Sequence, residues 1–178
     1  MTKLAFLVDN YFEQVELTET REILEEYGHQ TVLIATEQLN LQGMQGDVNK
    51  KDHFRADLLL KDAKAADYDA LILPGGTVNA DRLRVNKQAQ AFVKDFLAAD
   101  LLVAAICHAP WLLISSEVVK GKNLTAYKSL KDDLTNAGAN YHDEPVVYDT
   151  NLITSRKPDD ISAFAQAIDE FLIRHDSK

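Results

Sequence analysis

Short apolar runs alternate with stretches of helical spacing along most of the chain. Runs rich in Val, Leu, Ile and Ala are typical of strands, and apolar residues three or four positions apart are typical of amphipathic helices. The predicted strands are residues 3–8, 30–36, 69–73, 101–106, 124–127, 146–148 and 152–154. The predicted helices are residues 17–27, 86–97, 109–115, 130–136 and 160–174.

The order of these elements is mostly strand then helix. Parallel strands need crossover connections and the crossovers supply the helices, so this order predicts a parallel sheet covered on both faces. Residues 39–61 depart from the pattern, because Gly43 and Gly46 lie there in short polar-apolar alternation. We expect hairpin strands or an excursion at a sheet edge in that segment. A chain of 178 residues predicts one domain, residues 1–178.

Composition and charge narrow the possible partners and location. Hydrophobic residues make up 46% and charged residues 26%, an ordinary globular balance. A net charge of -9 argues against nucleic acid, because a surface that follows phosphates needs clustered Lys and Arg. No apolar stretch approaches the length of a membrane span, and the N-terminal apolar segment is too short for a signal peptide. For this reason we expect no membrane partner. A single cysteine cannot form an internal disulfide, which fits a reducing compartment, so we expect a cytoplasmic protein.

The single cysteine is the strongest candidate for chemistry. Cys107 stands where the predicted strand 101–106 ends and a helix begins, and ligands of parallel sheets bind at the carboxyl ends of the strands. Residues 9–16 and 74–76 follow two other strands and are expected at the same edge. The start of a helix favours a thiolate over a thiol, which predicts a nucleophile on a strand-to-helix elbow. The alternative is a buried structural cysteine.

Several residues can assist such a nucleophile. The backbone N–H groups of His108 and of Gly75 or Gly76 are candidates for an oxyanion hole, although a double glycine is equally typical of a tight turn. The His108 side chain can serve as base or ion-pair partner if the two side chains do not diverge at the elbow. Three acidic residues surround the start of the first helix: Glu13, Glu16 and Glu19. They complement the helix dipole, or one of them reaches the elbow.

Other conspicuous residues point to no cofactor. The sequence lacks the G-x-G-x-x-G and Walker A patterns of nucleotide-binding loops. Four further histidines have no spacing that predicts a metal site: His29, His53, His142 and His175. We interpret Trp111 and Tyr127 as core or interface residues because their apolar bulk explains them.

Six segments together carry a family resemblance: YDALILPGG, DRLR, FVKDF, VAAICHAPWLLIS, KDDLTNAGA and LITSRKPDDISAF. Over essentially the whole chain they resemble the PfpI-type intracellular protease branch of the ThiJ/PfpI superfamily, which includes the Parkinson-associated protein deglycase. The resemblance implies a three-layer α/β/α sandwich with a mainly parallel sheet, flavodoxin-like and related to class I glutamine amidotransferase domains. Glutamine hydrolysis is not implied, because those enzymes carry a His and Glu pair near the end of their sequence. Here the one histidine after Leu152 is His175, close to the end of the terminal helix.

The resemblance also implies roles for individual residues. Cys107 is the nucleophile, Glu16 hydrogen-bonds it, and His108 is the histidine that follows it. Asp81 occupies the position from which a neighbouring subunit supplies the acidic partner of the histidine, so a homodimer or higher homo-oligomer is implied. An aspartate stands there instead of the founding member's glutamate, which leaves His108 less firmly oriented. Ala109 replaces a common glycine, and its methyl group is expected to narrow the pocket beside the thiol.

Three functions fit these residues, and the first is preferred. It is a stress-response hydrolase of the deglycase or glutathione-independent glyoxalase type, in which a Cys107 thiolate attacks a small reactive carbonyl or its adducts on glycated protein side chains. The second is an oligomeric intracellular cysteine peptidase, which needs Asp81 to reach His108 across an interface. The third is a redox sensor or chaperone that uses reversible oxidation of Cys107, with Glu16 hydrogen-bonding the oxidised sulfur.

Overall fold

Strands and helices account for most of residues 1–175, the part of the chain that the computed structural model describes. The strands are β1 (Lys3–Val8), β2 (Phe12–Glu13), β3 (Gln30–Ala35), β4 (Asn40–Gln45), β5 (Asn49–Arg55), β6 (Leu58–Leu59), β7 (Ala70–Leu73), β8 (Leu102–Ile106), β9 (Asn123–Leu124), β10 (Asn140–Tyr141), β11 (Val146–Asp149) and β12 (Leu152–Ser155). The helices are α1 (Gln14–Glu26), α2 (Thr77–Val85), α3 (Lys87–Ala98), α4 (Pro110–Ser115), α5 (Lys131–Asn136) and α6 (Ile161–His175).

A seven-stranded sheet forms the centre of the molecule, in the order β11-β12-β8-β7-β1-β3-β6. Neighbouring strands pair parallel except β11 and β12, which pair antiparallel at one edge. Every residue of β7 and β8 is buried. A parallel strand between two helical layers is covered on both faces, so its sequence is apolar throughout rather than alternating. The predicted, mainly parallel sheet is confirmed.

Successive side chains of the central strands enter two separate hydrophobic cores. Ala5 and Leu7 of β1 pack in a core shared with α3 and α4, whereas Leu4 and Phe6 pack in a core shared with α1 and α6. The second core receives these helix residues: Leu17, Leu24, Ile161, Phe164, Ile168 and Leu172. Helices therefore cover both faces of the sheet, which gives the expected three-layer α/β/α sandwich. Within residues 1–175, no helix is long and apolar enough to cross a membrane.

The hairpin expected within residues 39–61 is formed by β4 and β5, which pair antiparallel beside the short strand β2. At its tip, Gly46 and Asp47 have positive φ angles of 63° and 67°, the backbone conformation that tight hairpin turns require. The carboxylate of Asp47 accepts hydrogen bonds from the backbone N–H of Thr77 at 2.9 Å and from its hydroxyl at 2.6 Å. The hairpin tip is thus attached to the first residue of α2.

One buried side chain joins the loops that follow β1 and β7. Asn79 of α2 is fully buried, and its Oδ1 accepts a hydrogen bond from the backbone N–H of Asp9 at 2.6 Å. Its Nδ2 donates to the carbonyl oxygens of Pro74 and Gly75 at 3.0 and 2.9 Å. These bonds compensate for the loss of water around the amide. They hold two strand ends together at the edge where a ligand is expected.

Helix α2 was not predicted from the sequence, and some elements begin or end at other residues than predicted. The nine residues of α2 bury only Asn79, Ala80 and Leu83, so no clear apolar stripe marks the helix. The first helix begins at Gln14 rather than residue 17. The strand expected at residues 124–127 is shorter, because the backbone N–H of Tyr127 donates to the carbonyl of Cys107 at 2.8 Å instead of extending β9.

Two isoleucines of α6 give a matched test of the buried stripe. Ile168 is fully buried and Ile173 is 59% exposed. We expect Ile168→Ala to lower the free energy of unfolding by about 2–5 kcal/mol, because the change leaves a cavity in a closely packed core. Ile173→Ala, the same change on the solvent side, is expected to cost less than about 1 kcal/mol. Urea denaturation measures both, and equal losses would contradict this packing of α6.

Candidate active site

Cys107 lies directly after β8 in a strained backbone conformation. Its φ angle is 63°, which costs a residue with a side chain about 1–3 kcal/mol and persists only where the surroundings fix it. Here the backbone N–H of Cys107 donates to the carbonyl of Ser155 at 3.1 Å, and its carbonyl accepts from the N–H of Tyr127 at 2.8 Å. Hydrogen bonds to two other segments of the same chain therefore hold this strand-to-helix elbow in place. The predicted strand-to-helix junction at Cys107 is confirmed.

Glu16 lies beside the thiol, in the first turn of α1. It is fully buried, and its Oε1 accepts a hydrogen bond from the backbone N–H of Gly75 at 2.9 Å. Burial, and secondarily the charge of Glu13, raises the pKa of the Glu16 carboxyl to about 8. At neutral pH this carboxyl therefore keeps its proton. Of the acidic residues around the first helix, Glu16 is the one whose side chain interacts with Cys107.

The ionisation of the thiol and that of the carboxyl in this pair are coupled, because a charge on one group disfavours a charge on the other. Burial, followed by the charge of Glu16, raises the pKa of the Cys107 thiol above its ordinary value, the opposite of the effect expected from a helix start. The following helix contributes little because α4 has only six residues and begins at Pro110, which lacks an N–H. When Glu16 keeps its proton, a thiolate has a neutral neighbour that can donate a hydrogen bond to it. A reactive Cys107 thus depends on a protonated Glu16.

His108 contacts the thiol directly. Its Nδ1 lies 3.2 Å from the Cys107 sulfur, so the two side chains do not diverge at the elbow. The ring stacks on Tyr127, with centroids 4.8 Å apart, and meets the edge of Trp111 at 5.3 Å. Burial lowers the pKa of His108 below its ordinary value, and the charge of Asp47 partly offsets this effect. A neutral imidazole at this distance can accept a proton from the thiol.

The double glycine after β7 allows the close approach of these groups. A Cβ atom at Gly75 would lie 2.5 Å from Glu16 Oε1 and 2.9 Å from Cys107 Cβ. Gly76 has a φ angle of 92°, and a Cβ there would lie 2.5 Å from the backbone nitrogen of Glu13. The backbone N–H groups of Gly76 and His108 both interact with the sulfur and lower the pKa of the thiol. The two predicted oxyanion-hole donors therefore converge on Cys107.

Two residues named by the resemblance lie away from the thiol. Asp81 is exposed on α2, does not line the cavity described below, and forms no hydrogen bond with His108 among the residues that the structure describes. Ala109 is buried in the core that contains α3 rather than in the cavity wall, so the expectation that its methyl group narrows the pocket was wrong.

A cavity of about 380 Å³ opens beside the thiol. It is lined by Glu13, Glu16, Gly46, Asp47, Gly76, Thr77, Cys107, His108, Tyr127 and Pro158. Tyr127 packs against both hydrophobic cores, as predicted, and its ring also lines this cavity and stacks on His108. Asp47, which the hairpin brings in from outside the central sheet, was not predicted from the sequence. Within residues 1–175, no group of three His, Cys, Asp or Glu side chains is arranged to hold a metal ion.

Comparison with known sequences identifies the family. The sequence profile described as the DJ-1/PfpI family matches residues 2–170. The chain belongs to the DJ-1/PfpI family. Among family relatives, an uncharacterized protein from Archaeoglobus fulgidus is 42% identical over 174 residues, which are 97% of this chain and 99% of that protein. "Putative cysteine protease YraA" from Bacillus subtilis is 40% identical over 162 residues, 91% of this chain and 93% of its own.

Solved structures of the DJ-1/PfpI family have the same fold. A two-domain protein from Anabaena variabilis, with DJ-1/ThiJ/PfpI-like and ferritin-like domains, matches with a TM-score of 0.89 and 33% identity. The match covers 97% of this chain and 48% of that longer one. Drosophila melanogaster DJ-1beta matches with a TM-score of 0.86 and 28% identity over 96% of this chain and 90% of its own. The resemblance inferred from the sequence motifs is confirmed.

The raised pKa of Glu16 predicts a measurable dependence of stability on pH. Between the ordinary pKa of 4.5 and about 8, the folded protein holds a proton that the unfolded chain releases. Folding stability must therefore fall as the pH rises through this window, by on the order of 1 kcal/mol per pH unit. Glu16→Gln, which cannot ionise, removes this contribution, so the variant should gain stability relative to wild type between about pH 5 and about pH 7.5.

Urea denaturation of both proteins at the two pH values measures the difference. Glu19→Gln, the same change at an exposed position of α1, is the control and should follow wild type. Parallel pH profiles for wild type and Glu16→Gln would show that Glu16 is ionised in the folded protein.

Proposed function

We propose that this protein is a cysteine-dependent hydrolase of reactive carbonyl compounds or of their adducts on protein side chains. The observation that carries the proposal is the 3.2 Å contact between Cys107 Sγ and His108 Nδ1 in a cavity that also contains the buried Glu16. A nucleophile, a neutral base and a protonated carboxyl group are the groups that addition to a carbonyl requires. The free thiol of the single cysteine also fits a reducing compartment, and we place the protein in the cytoplasm.

The first step is addition of the Cys107 thiolate to an aldehyde carbon, written here for methylglyoxal. A carbon–sulfur bond forms as the carbonyl π electrons move to oxygen, and the resulting alkoxide faces the N–H groups of Gly76 and His108. His108 takes the proton of the thiol as the sulfur attacks and passes it to this oxygen, so the imidazole is neutral again and Glu16 keeps its proton. The product is a neutral hemithioacetal.

The second step is an internal oxidation and reduction that His108 assists. The neutral imidazole removes the hydrogen of the former aldehyde carbon as a proton and returns it to the neighbouring ketone carbon. In the enediol between these two transfers, the hydroxyl proton moves from the first oxygen to the second, so the hemithioacetal becomes a thioester of lactate. Water then cleaves the thioester, which releases lactic acid and restores the thiol. In sum, one methylglyoxal and one water give one lactic acid, without an external oxidant.

The size of the cavity favours a small carbonyl over a peptide. About 380 Å³ lies near the lower end of the volumes of ligand pockets, and the residue Cys107 is only 8% exposed. A peptidase must pass extended chain across the nucleophile on both sides of the cleaved bond. A small aldehyde, or the adduct at the tip of one side chain, needs access to only one carbon.

The second candidate function is an intracellular cysteine peptidase. The name of the Bacillus subtilis relative, a cysteine protease, and the Cys107–His108 contact favour it. This function also needs an acidic partner for His108. Asp81 could supply it only from a second subunit, so the peptidase proposal requires an oligomer whose interface places Asp81 beside the partner's imidazole.

We expect substitutions in the site to separate these activities. Cys107→Ser should lower methylglyoxal turnover at least about 100-fold, because a hydroxyl is a far weaker nucleophile than a thiolate. His108→Ala should lower it by about 100-fold as well, through loss of the proton carrier. Parallel assays of lactate formation and of peptide cleavage measure both, with Glu37→Gln as an exposed control.

The outcomes distinguish the candidates. If wild type cleaves peptide, and Asp81→Asn loses this cleavage without a change in lactate formation, the result would favour the peptidase. If wild type and Cys107→Ser form lactate equally slowly and neither cleaves peptide, both enzyme proposals fail. Reversible oxidation of Cys107 as a sensor or chaperone would then be the remaining candidate.

A further inference from the structure

Carboxyl groups dominate the wall of the Cys107 cavity. Glu13, Glu16 and Asp47 line it, and the described residues that line it include no Lys or Arg. Oε2 of the fully buried Glu16 has no hydrogen-bond partner within residues 1–175. His108, the only basic side chain in the lining, has its pKa lowered by burial and is neutral at neutral pH. Because Glu16 keeps its proton, the negative charge that the cavity presents to a ligand comes from Glu13 and Asp47.

Hydrogen bonds hold two of these carboxylates in place. Glu13 accepts from the backbone N–H of Gly46 through Oε2 at 2.9 Å, and Asp47 accepts from the backbone N–H and hydroxyl of Thr77. The charge of Asp47 reaches the reacting groups, because it raises the pKa values of Glu16 and His108. A charged group on a bound substrate would experience the same field. The hairpin tip thus brings a fixed negative charge next to the nucleophile.

Cationic side chains line neighbouring cavities but not this one: Lys51 lines a cavity of about 420 Å³ that shares Glu13 and Pro158 with it. A separate cavity of about 250 Å³ shares only Tyr127 with the Cys107 cavity and is lined by Lys128, Asp143, Arg156 and Lys157. In that cavity Arg156 is neutralised by Asp160 at 2.8 Å and by Asp143 at 3.0 Å. On the other side, Arg82 binds Asp9 at 3.3 Å.

We propose that Glu13 and Asp47 set the substrate specificity of the site, selecting carbonyl compounds or adducts that carry an ammonium or guanidinium group and rejecting those that carry a carboxylate or phosphate. The proposal rests on the proposed function, since it names the substrate class of the same nucleophile. Its physical basis is Coulomb interaction in a cavity with less water than the bulk, where charges separated by a few ångströms interact more strongly than in solution.

The reactivity of the thiol with charged reagents tests this proposal without relying on turnover. Two methanethiosulfonates are compared, one with a trimethylammonium group and one with a sulfonate. In each reaction the Cys107 thiolate attacks the reagent's sulfenyl sulfur, a disulfide forms and methanesulfinate leaves. Because Cys107 is the only cysteine, the rate of mass change reports this site alone. Rates are divided by those of 2-mercaptoethanol to remove intrinsic differences between the reagents.

We expect the normalised rate for wild type to favour the cationic reagent by about 10-fold or more at low salt, and to lose most of this preference at about 1 M salt. Glu13→Gln and Asp47→Asn keep hydrogen-bond acceptors for Gly46 and Thr77, and asparagine tolerates the positive φ at position 47. Each variant should lower the preference for the cationic reagent. In the double variant, the normalised rates for the two reagents should agree within about two-fold.

Glu37→Gln is the matched control, because it removes the same charge at an exposed position outside the cavity. It should keep the wild-type preference. Equal normalised rates for the two reagents in wild type would overturn the proposal, and so would an equal loss of preference in Glu37→Gln. If the preference is present but no carbonyl is turned over, the proposed function fails and the charge selection stands. A thiol that reacts with neither reagent overturns both.

Discussion

A carboxyl group that has lost contact with water stays neutral unless donors or cations replace the water around it. Glu16 has one such donor, the backbone N–H of Gly75, and otherwise lies against a thiol. The resulting retention of its proton determines which charge state of Cys107 is possible. It also restricts the neighbours, because a side chain at Gly75 would overlap both Glu16 and Cys107. The chemistry of the site follows from this pairing more than from a helix dipole.

The architecture matters because it brings segments that are distant in sequence to this pair. Glu16 follows β1, Gly75 follows β7 and Cys107 follows β8, and these three strands are neighbours in one parallel sheet. Parallel strands end at the same edge, so their loops meet there. Asn79 then fixes two of these loops to each other by hydrogen bonds. The nucleophile itself is held by Ser155 and Tyr127, which lie beyond it in the chain.

Much of this could be predicted from the sequence, and the reasons are specific. The apolar runs identified the central strands because burial on both faces leaves no polar positions in them. The end of one apolar run located Cys107, and the double glycine after another run marked the turn at Gly75 that lies beside it. By contrast, α2 escaped notice because its buried residues include the polar Asn79. Asp47 and the additional position of Tyr127 in the cavity wall were not predicted, since nothing local in the sequence shows which side chain a hairpin or a shortened strand brings to a distant cavity.

The attachment of the β4–β5 hairpin has a consequence for how such a site can change over evolutionary time. Its tip forms part of the cavity wall and caps a helix that has no capping side chain of its own, yet neither strand belongs to the central sheet. Residues can therefore be exchanged, inserted or removed at the tip without shifting the register of β1 or β8, the strands that precede Glu16 and Cys107. The hairpin tip, which contributes Asp47 to the cavity wall, can therefore change while Cys107 and Glu16 stay the same. Members of one family can thus keep the nucleophile and differ in the part of the cavity that contacts the substrate.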